Sequence, residues 1–208
     1  MIPGDPQGLP DEFYMEETLV FIDGGFLSKL SKYFGEGKYL KFNLIEFAKN
    51  IALKQNLFCK HLFYYTAPPF QSNSIKKEEQ ERKENYDKFI RKLKQNSSIT
   101  IREGRCQKLR ISDNKTIFKQ KGVDSLAVMD IMSVPIKYKN IKTIILIACD
   151  SDFVPVIKSL KQLNLKVILY TYYEKSRNSI FSTSNELIKI VNKYVLISAN
   201  DFEKSPLT

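Results

Sequence analysis

Short apolar runs that alternate with helical patterns along most of the chain, without an internal repeat, predict an α/β fold: a parallel, doubly wound sandwich with a mainly parallel sheet of five or six strands. Two stretches carry this prediction. Residues 143–149, TIILIAC, form a continuous apolar run rich in β-branched residues and too short for a membrane span, the pattern of a strand buried on both faces. The run stops on Asp150, and apolar residues then recur at 153, 156, 157, 160 and 163 with helical spacing. Residues 18–23, TLVFID, repeat the pattern and stop on Asp23 before Gly24 and Gly25. Open α/β sheets place their sites where a strand hands over to a helix.

In chain order, the strand over 18–23 is followed by a helical pattern through Phe26, Leu27, Leu30 and Phe34 that ends near Gly35 and Gly37. A second helix is predicted over 43–55 and a strand over 59–66, closed by Pro68 and Pro69. Residues 75–95 read as a long charged helix with Tyr86, Phe89, Ile90 and Leu93 as its buried stripe and Lys88, Arg91, Lys92 and Lys94 outside. Residues 98–107 alternate as a strand, and 108–111 with 116–120 flank an Asp113-Asn114 turn as a hairpin. The helix over 123–138 is apolar nearly all round, which predicts heavy burial and makes Asp124 and Asp130 conspicuous. Ser151 or Asp152 can cap the helix after Asp150, with Pro155 in its first turn. A strand over 166–173 follows, then a polar loop in which Thr183 and Glu186 have capping-box spacing, and a last strand over 194–199.

At 208 residues and 43% apolar, the chain is long enough for one well-cored domain, expected over 15–200, with a polar tail at 201–208. Residues 1–14, rich in Pro and Gly, read as an added leader or disordered tail before a native start at Met15. Removing their three acids raises the net charge from +10 to +13, which favours polyanionic partners, nucleic acid first. No run of 18 apolar residues is present, which excludes a membrane-spanning helix. Three scattered cysteines without a CxxC argue against a disulfide framework or zinc site and for a reducing cytoplasm. The single histidine, His61, is expected to be structural, and its solitude excludes Ser-His-Asp and paired-imidazole chemistry. Walker A and GxGxxG loops are absent, and Cys149 lacks the Arg of a phosphatase loop.

If the strands ending at Asp23 and Asp150 are neighbours, their carboxylates meet at the topological switch point, with Asp152 and Asp124 joining from helix starts. Acids converging in a basic protein call for a divalent cation, and hard oxygen ligands suit Mg²⁺ or Mn²⁺. The chemistry that follows is metal-assisted phosphodiester hydrolysis without histidine. Lys121, Lys175 and Arg177 are the nearest candidates by topology for holding a nucleic-acid strand. Each Asp alone is also a common helix cap, and for Asp130 a structural hydrogen bond competes with a metal-site role.

FIDGG at 21–25, KGVDSLAVMDI at 121–131 and ACDSDFVPVIKSL at 148–160 resemble, in order and spacing, the three signature blocks of NYN domains, the LabA-like branch of the PIN-like nucleases. The resemblance implies a PIN-like fold and a divalent-metal ribonuclease site. By matching positions, Asp23, Asp124, Asp150 and Asp152 are the implied catalytic and metal-binding acids, and Asp130 matches a frequent family acid. Three positions depart from the pattern: Phe26 stands where Asn is common, Ala148 and Cys149 replace the residues of an SGD, and Asn164 replaces a helix-ending Gly that Asn can mimic. The expected function is a cytoplasmic, Mg²⁺- or Mn²⁺-dependent ribonuclease acting on single-stranded or structured RNA. The alternative is an RNA-binding or regulatory module of the same fold; a nucleotide phosphatase is a third reading. RNA is the expected partner and a membrane is not, while a homodimer is not derivable from the residues.

Overall fold

A computed structural model describes residues 15–112, 115–174, 181 and 183–207. Strand β1 (Glu16–Asp23) leads into helices α1 (Gly24–Phe34) and α2 (Leu44–Leu53), strand β2 (Leu57–Thr66), the long helix α3 (Lys77–Lys94) and strand β3 (Ile99–Glu103). Strands β4 (Arg105–Ser112) and β5 (Lys115–Lys121) precede helix α4 (Val123–Lys137) and strand β6 (Thr143–Ile147). A single 3₁₀ turn at Ser151–Phe153 then opens helix α5 (Val154–Gln162), followed by β7 (Lys166–Thr171), α6 (Asn185–Ile190), β8 (Lys193–Leu196) and α7 (Ala199–Glu203).

Six strands form one sheet in the order β3-β2-β1-β6-β7-β8, and every neighbouring pair is parallel. The chain leaves β1 toward β2 and β3 on one side and later places β6, β7 and β8 on the other. The switch point therefore lies between β1 and β6, whose register pairs Ile22 with Ile147. Strand residues alternate between two cores, as the pleat requires. Leu19, Phe21, Ile144 and Leu146 face α4 and α5, whereas Val20, Ile22, Ile145 and Ile147 face α1 and α2. These β1 and β6 side chains are at most 1% exposed, each contributing about 1.5–3 kcal/mol by burial.

Several elements differ from their sequence expectation. The stretch over 98–107 is two strands, because the chain turns out of the sheet at Gly104 into an antiparallel ribbon, β4–β5. A Cβ at Gly104 would stand 2.5 Å from the carbonyl oxygen of Lys121, so only glycine allows the two ends of the ribbon to close. Helix α4 is not heavily buried all round: Met129, Met132 and Ile136 are 68, 40 and 76% exposed, since a helix laid on one sheet face turns its far side outward. The cap after Asp150 is Asp150 itself, which accepts from the Asp152 amide at 3.2 Å, with Pro155 in the first turn of α5. Helix α6 is capped by Ser184 rather than Thr183, whose hydroxyl bonds Thr171 instead. Asn164 has φ +61°, and the Leu165 and Asn164 amides bond the Leu160 and Lys161 carbonyls, the αL termination expected of it. The end of the chain is no loose polar tail: Phe202 packs against Phe42 and Phe47, Asp201 is salt-bridged to Lys54, and the Asn43 amide bonds the Ser205 carbonyl. Residues 1–14 lie outside the described residues.

Candidate metal centre

Asp23 ends β1 and caps α1, its Oδ1 accepting from the amides of Gly25 at 2.8 Å and Phe26 at 3.2 Å. That use fixes the carboxylate and leaves Oδ2 without a hydrogen bond among the described residues. Gly24 permits the tight exit from the strand, since a Cβ there would lie 2.6 Å from the Tyr65 carbonyl oxygen and 2.7 Å from the Tyr64 ring. Asp150 follows β6 on the neighbouring strand, and Asp124 sits in the first turn of α4, where the helix dipole favours its charge.

Asp23, Asp124 and Asp150 line one cleft of about 1350 Å³ at the carboxyl ends of the central strands. Burial pushes the Asp23 carboxyl up to about 6, opposed by its backbone hydrogen bonds and reinforced by the charge of Asp124. The Asp124 carboxyl is likewise raised, by burial first and then by Asp150 and Asp152. Asp152 is exposed and outside the cleft lining, yet near enough to Asp124 to act on it. Cys149 also lines the cleft, and burial with the neighbouring Asp23 pushes its thiol up to about 11, which favours the protonated thiol at neutral pH. Among the described residues none of these four acids takes part in an ion pair.

Asp130, on the same helix as Asp124, is placed differently. Its Oδ1 accepts from Arg102 Nη2 at 2.8 Å and its Oδ2 from Arg102 Nε at 2.9 Å and Tyr65 Oη at 3.2 Å. This 7%-exposed carboxylate ties α4 to β2 and β3 and does not line the cleft. His61 is structural too, bonding Thr100 Oγ1 at 2.8 Å from β2 to β3.

Of the proposed strand-holding cations, Lys121 closes the base of the ribbon opposite Arg105 and does not line the cleft. Lys175 and Arg177 fall outside the described residues. Among the described residues the cations that line the cleft are Lys29, Lys41, Arg82, Lys92 and Lys119. Of these, only Lys92 was visible in the sequence, as part of the basic face of α3; the others depend on packing between distant elements. Gln120 was also missed. Its carboxamide leans over the site entrance, where a Cβ at Gly25 would stand 3.1 Å from Oε1.

Among the described residues no three His, Cys, Asp or Glu side chains converge into a ready-made metal cage. The donor set fits a sparser arrangement: magnesium is commonly held by one or two carboxylates, with waters and substrate phosphate oxygens completing its shell. Unpaired, mutually repelling carboxylates in one cleft suit that arrangement, and among the described residues the cleft lining offers no His and only Cys149 as a zinc-type ligand.

Comparison with known proteins bears on the same stretch of chain. A family model described as NYN domain matches residues 17–198. No curated protein matches the chain. The solved structure of a protein of unknown function from Vibrio parahaemolyticus superposes with a TM-score of 0.54 at 16% identity, covering 90% of this chain and 96% of that one. At that identity the likeness speaks for the fold, an α/β sandwich consistent with the PIN-like architecture.

Proposed function

The chain belongs to the NYN domain family, and on that premise we propose that it is a divalent-metal-dependent ribonuclease that hydrolyses RNA phosphodiester bonds at the floor of the cleft. The observation that supports this reading is the grouping of Asp23, Asp124 and Asp150, none in an ion pair among the described residues, at the switch point beneath walls that carry Lys29, Lys41, Arg82, Lys92 and Lys119. A bound Mg²⁺ or Mn²⁺ supplies a water of lowered pKa and positive charge for the phosphoryl oxygens. The chain's own part is positioning. Asp23 is held by two backbone amides, Asp150 by the turn it caps and Asp124 by the first turn of α4, while the wall cations bind phosphates flanking the scissile one. Asp152, at the rim, adds negative charge that favours a cation near Asp124.

A second reading is an RNA-binding module without cleavage. It is favoured by the lack of a three-acid cage among the described residues and by Phe26, an apolar side chain buried in the core at the position where the resemblance to the family implies an Asn. Labelled RNA incubated with Mn²⁺, Mg²⁺ or EDTA, beside Asp150→Asn and Asp23→Asn, decides between them. Metal-dependent cleavage lost in both variants is the expected result. Cleavage that is absent with either metal, or that survives both substitutions, rules out the nuclease; salt-sensitive binding alone identifies the module.

A further inference from the structure

The ribbon β4–β5 stands apart from the rest of the fold, its strands packing principally on each other. It is inserted directly before α4, and only Gly122, at φ +80°, and Val123 separate Lys121 from Asp124. Pairing of Cys106 with Gln120 and Lys108 with Phe118 places these four side chains on one face of the ribbon. Phe118 and Gln120 line the same cleft as Asp23 and Asp124. The Phe118 ring is 53% exposed, braced at 5.5 Å by Phe70, and Lys108 Nζ stands 5.9 Å from the Phe70 ring.

We propose that this ribbon face grips unpaired nucleotides of an RNA strand lying across the acid floor, with the exposed Phe118 ring stacking on a base. The inference rests on the RNA reading of the same cleft and names what selects the strand. Apart from its contact with Phe70 this half-exposed ring faces the cleft rather than the core, and every base offers it a π face. The ribbon sequence carries six Lys or Arg against the single Asp113, and the described ion pairs involve none of Arg105, Lys108, Arg110, Lys119 or Lys121, leaving them for phosphates. Gln120 adds a neutral amide for a base edge or 2′-hydroxyl without charging the acid floor. Bases in an A-form duplex are already stacked on one another, so Phe118 can engage them only where the strand is unpaired.

Binding is read in EDTA from the anisotropy of a fluorescein-labelled single-stranded RNA and of the matching duplex, using the full chain, Phe118→Ala and Phe118→Tyr. Phe118→Ala weakens single-strand binding about tenfold, the loss of one base stack, while duplex binding changes less than about twofold. Phe118→Tyr keeps single-strand affinity within about twofold, since its ring still stacks. An unchanged affinity in Phe118→Ala, an equal loss for the duplex, failure of Tyr to substitute, or a wild-type chain that binds no RNA overturns the proposal. Because no metal is present, the readout is independent of cleavage. A ribbon effect without Mn²⁺-dependent cleavage overturns the nuclease reading and leaves the ribbon's role standing; cleavage without a ribbon effect does the reverse.

Discussion

Asp124 and Asp130 lie six residues apart on α4, yet the fold treats them in opposite ways. Asp130 is enclosed by a bidentate Arg102 and by Tyr65, with both of its oxygens engaged. Asp124 forms no ion pair among the described residues and lines a cleft with Asp23 and Asp150, where its own burial and the charges of Asp150 and Asp152 work against its ionised form. A carboxylate that finds its partners within the chain contributes to the fold. One that is left buried with repelling neighbours costs stability, and that cost is relieved when a proton or a cation neutralises the charge.

The sharpest way to break this contrast is to neutralise each acid in turn. Asp124→Asn is expected to lower metal-dependent RNA cleavage by about a thousandfold, roughly 4 kcal/mol in the barrier, while leaving the thermal midpoint unchanged or higher. Equal cleavage rates for Asp124→Asn and the wild type would remove Asp124 from the site.

Asp130→Ala should do the reverse. Removing the carboxylate strands the Tyr65 hydroxyl and releases Arg102, whose side chain is 44% exposed, so the loss falls below that of a fully buried pair, at about 2–3 kcal/mol. Urea denaturation measures it, and a midpoint shift below the error of the measurement would mean the pair does not hold α4 in place.

A third comparison uses pH. The Asp23 carboxyl holds its proton up to about 6 in the folded chain, against an ordinary value of about 4 when unfolded. The folded state therefore binds more protons in this window, and the metal-free protein loses stability as pH rises from about 4 to about 6, by about 2 kcal/mol. Asp23→Asn keeps an oxygen for the α1 cap and should flatten that part of the stability profile. A profile that keeps its slope in the variant would assign the effect to another group.

The smallest effect expected is that of the ion itself. Mn²⁺ at ten times its dissociation constant should stabilise the wild type by about 1.4 kcal/mol. The same addition should leave Asp23→Asn near its metal-free midpoint in calorimetry, whereas Asp130→Asn should still respond.

Much of this was legible in the residues. The runs that end at Asp23 and Asp150 are short, β-branched and followed by helical spacing, so periodicity alone identified two strands and the acids at their ends. The αL position of Asn164 came from the resemblance, where Asn stands in for a helix-ending Gly, and the structure has it there because it depends only on the few residues that close α5. The break at Gly104 was not legible, since it answers to a carbonyl at Lys121 brought back by the ribbon. Nor was α7: five residues are too few to show a period, and Phe202 is held by aromatic rings from α2 and the segment before it. Helix α4 misled because an apolar sequence says how much a helix can bury and not how many neighbours will cover it.

By itself, the sequence determined the alternation of strands and helices, the basic balance and the candidate acids, because these are properties of residue type and short-range spacing. Only the tertiary structure decided which acids stand together and which are neutralised. Arg102 reaches Asp130 from β3 and Tyr65 from β2, 28 and 65 positions away. Asp23 meets the Asp150 end of the sheet because β1 and β6 are neighbours in space. A carboxylate's chemistry follows from its nearest charges, and in a folded chain those come from whichever elements packing has made adjacent.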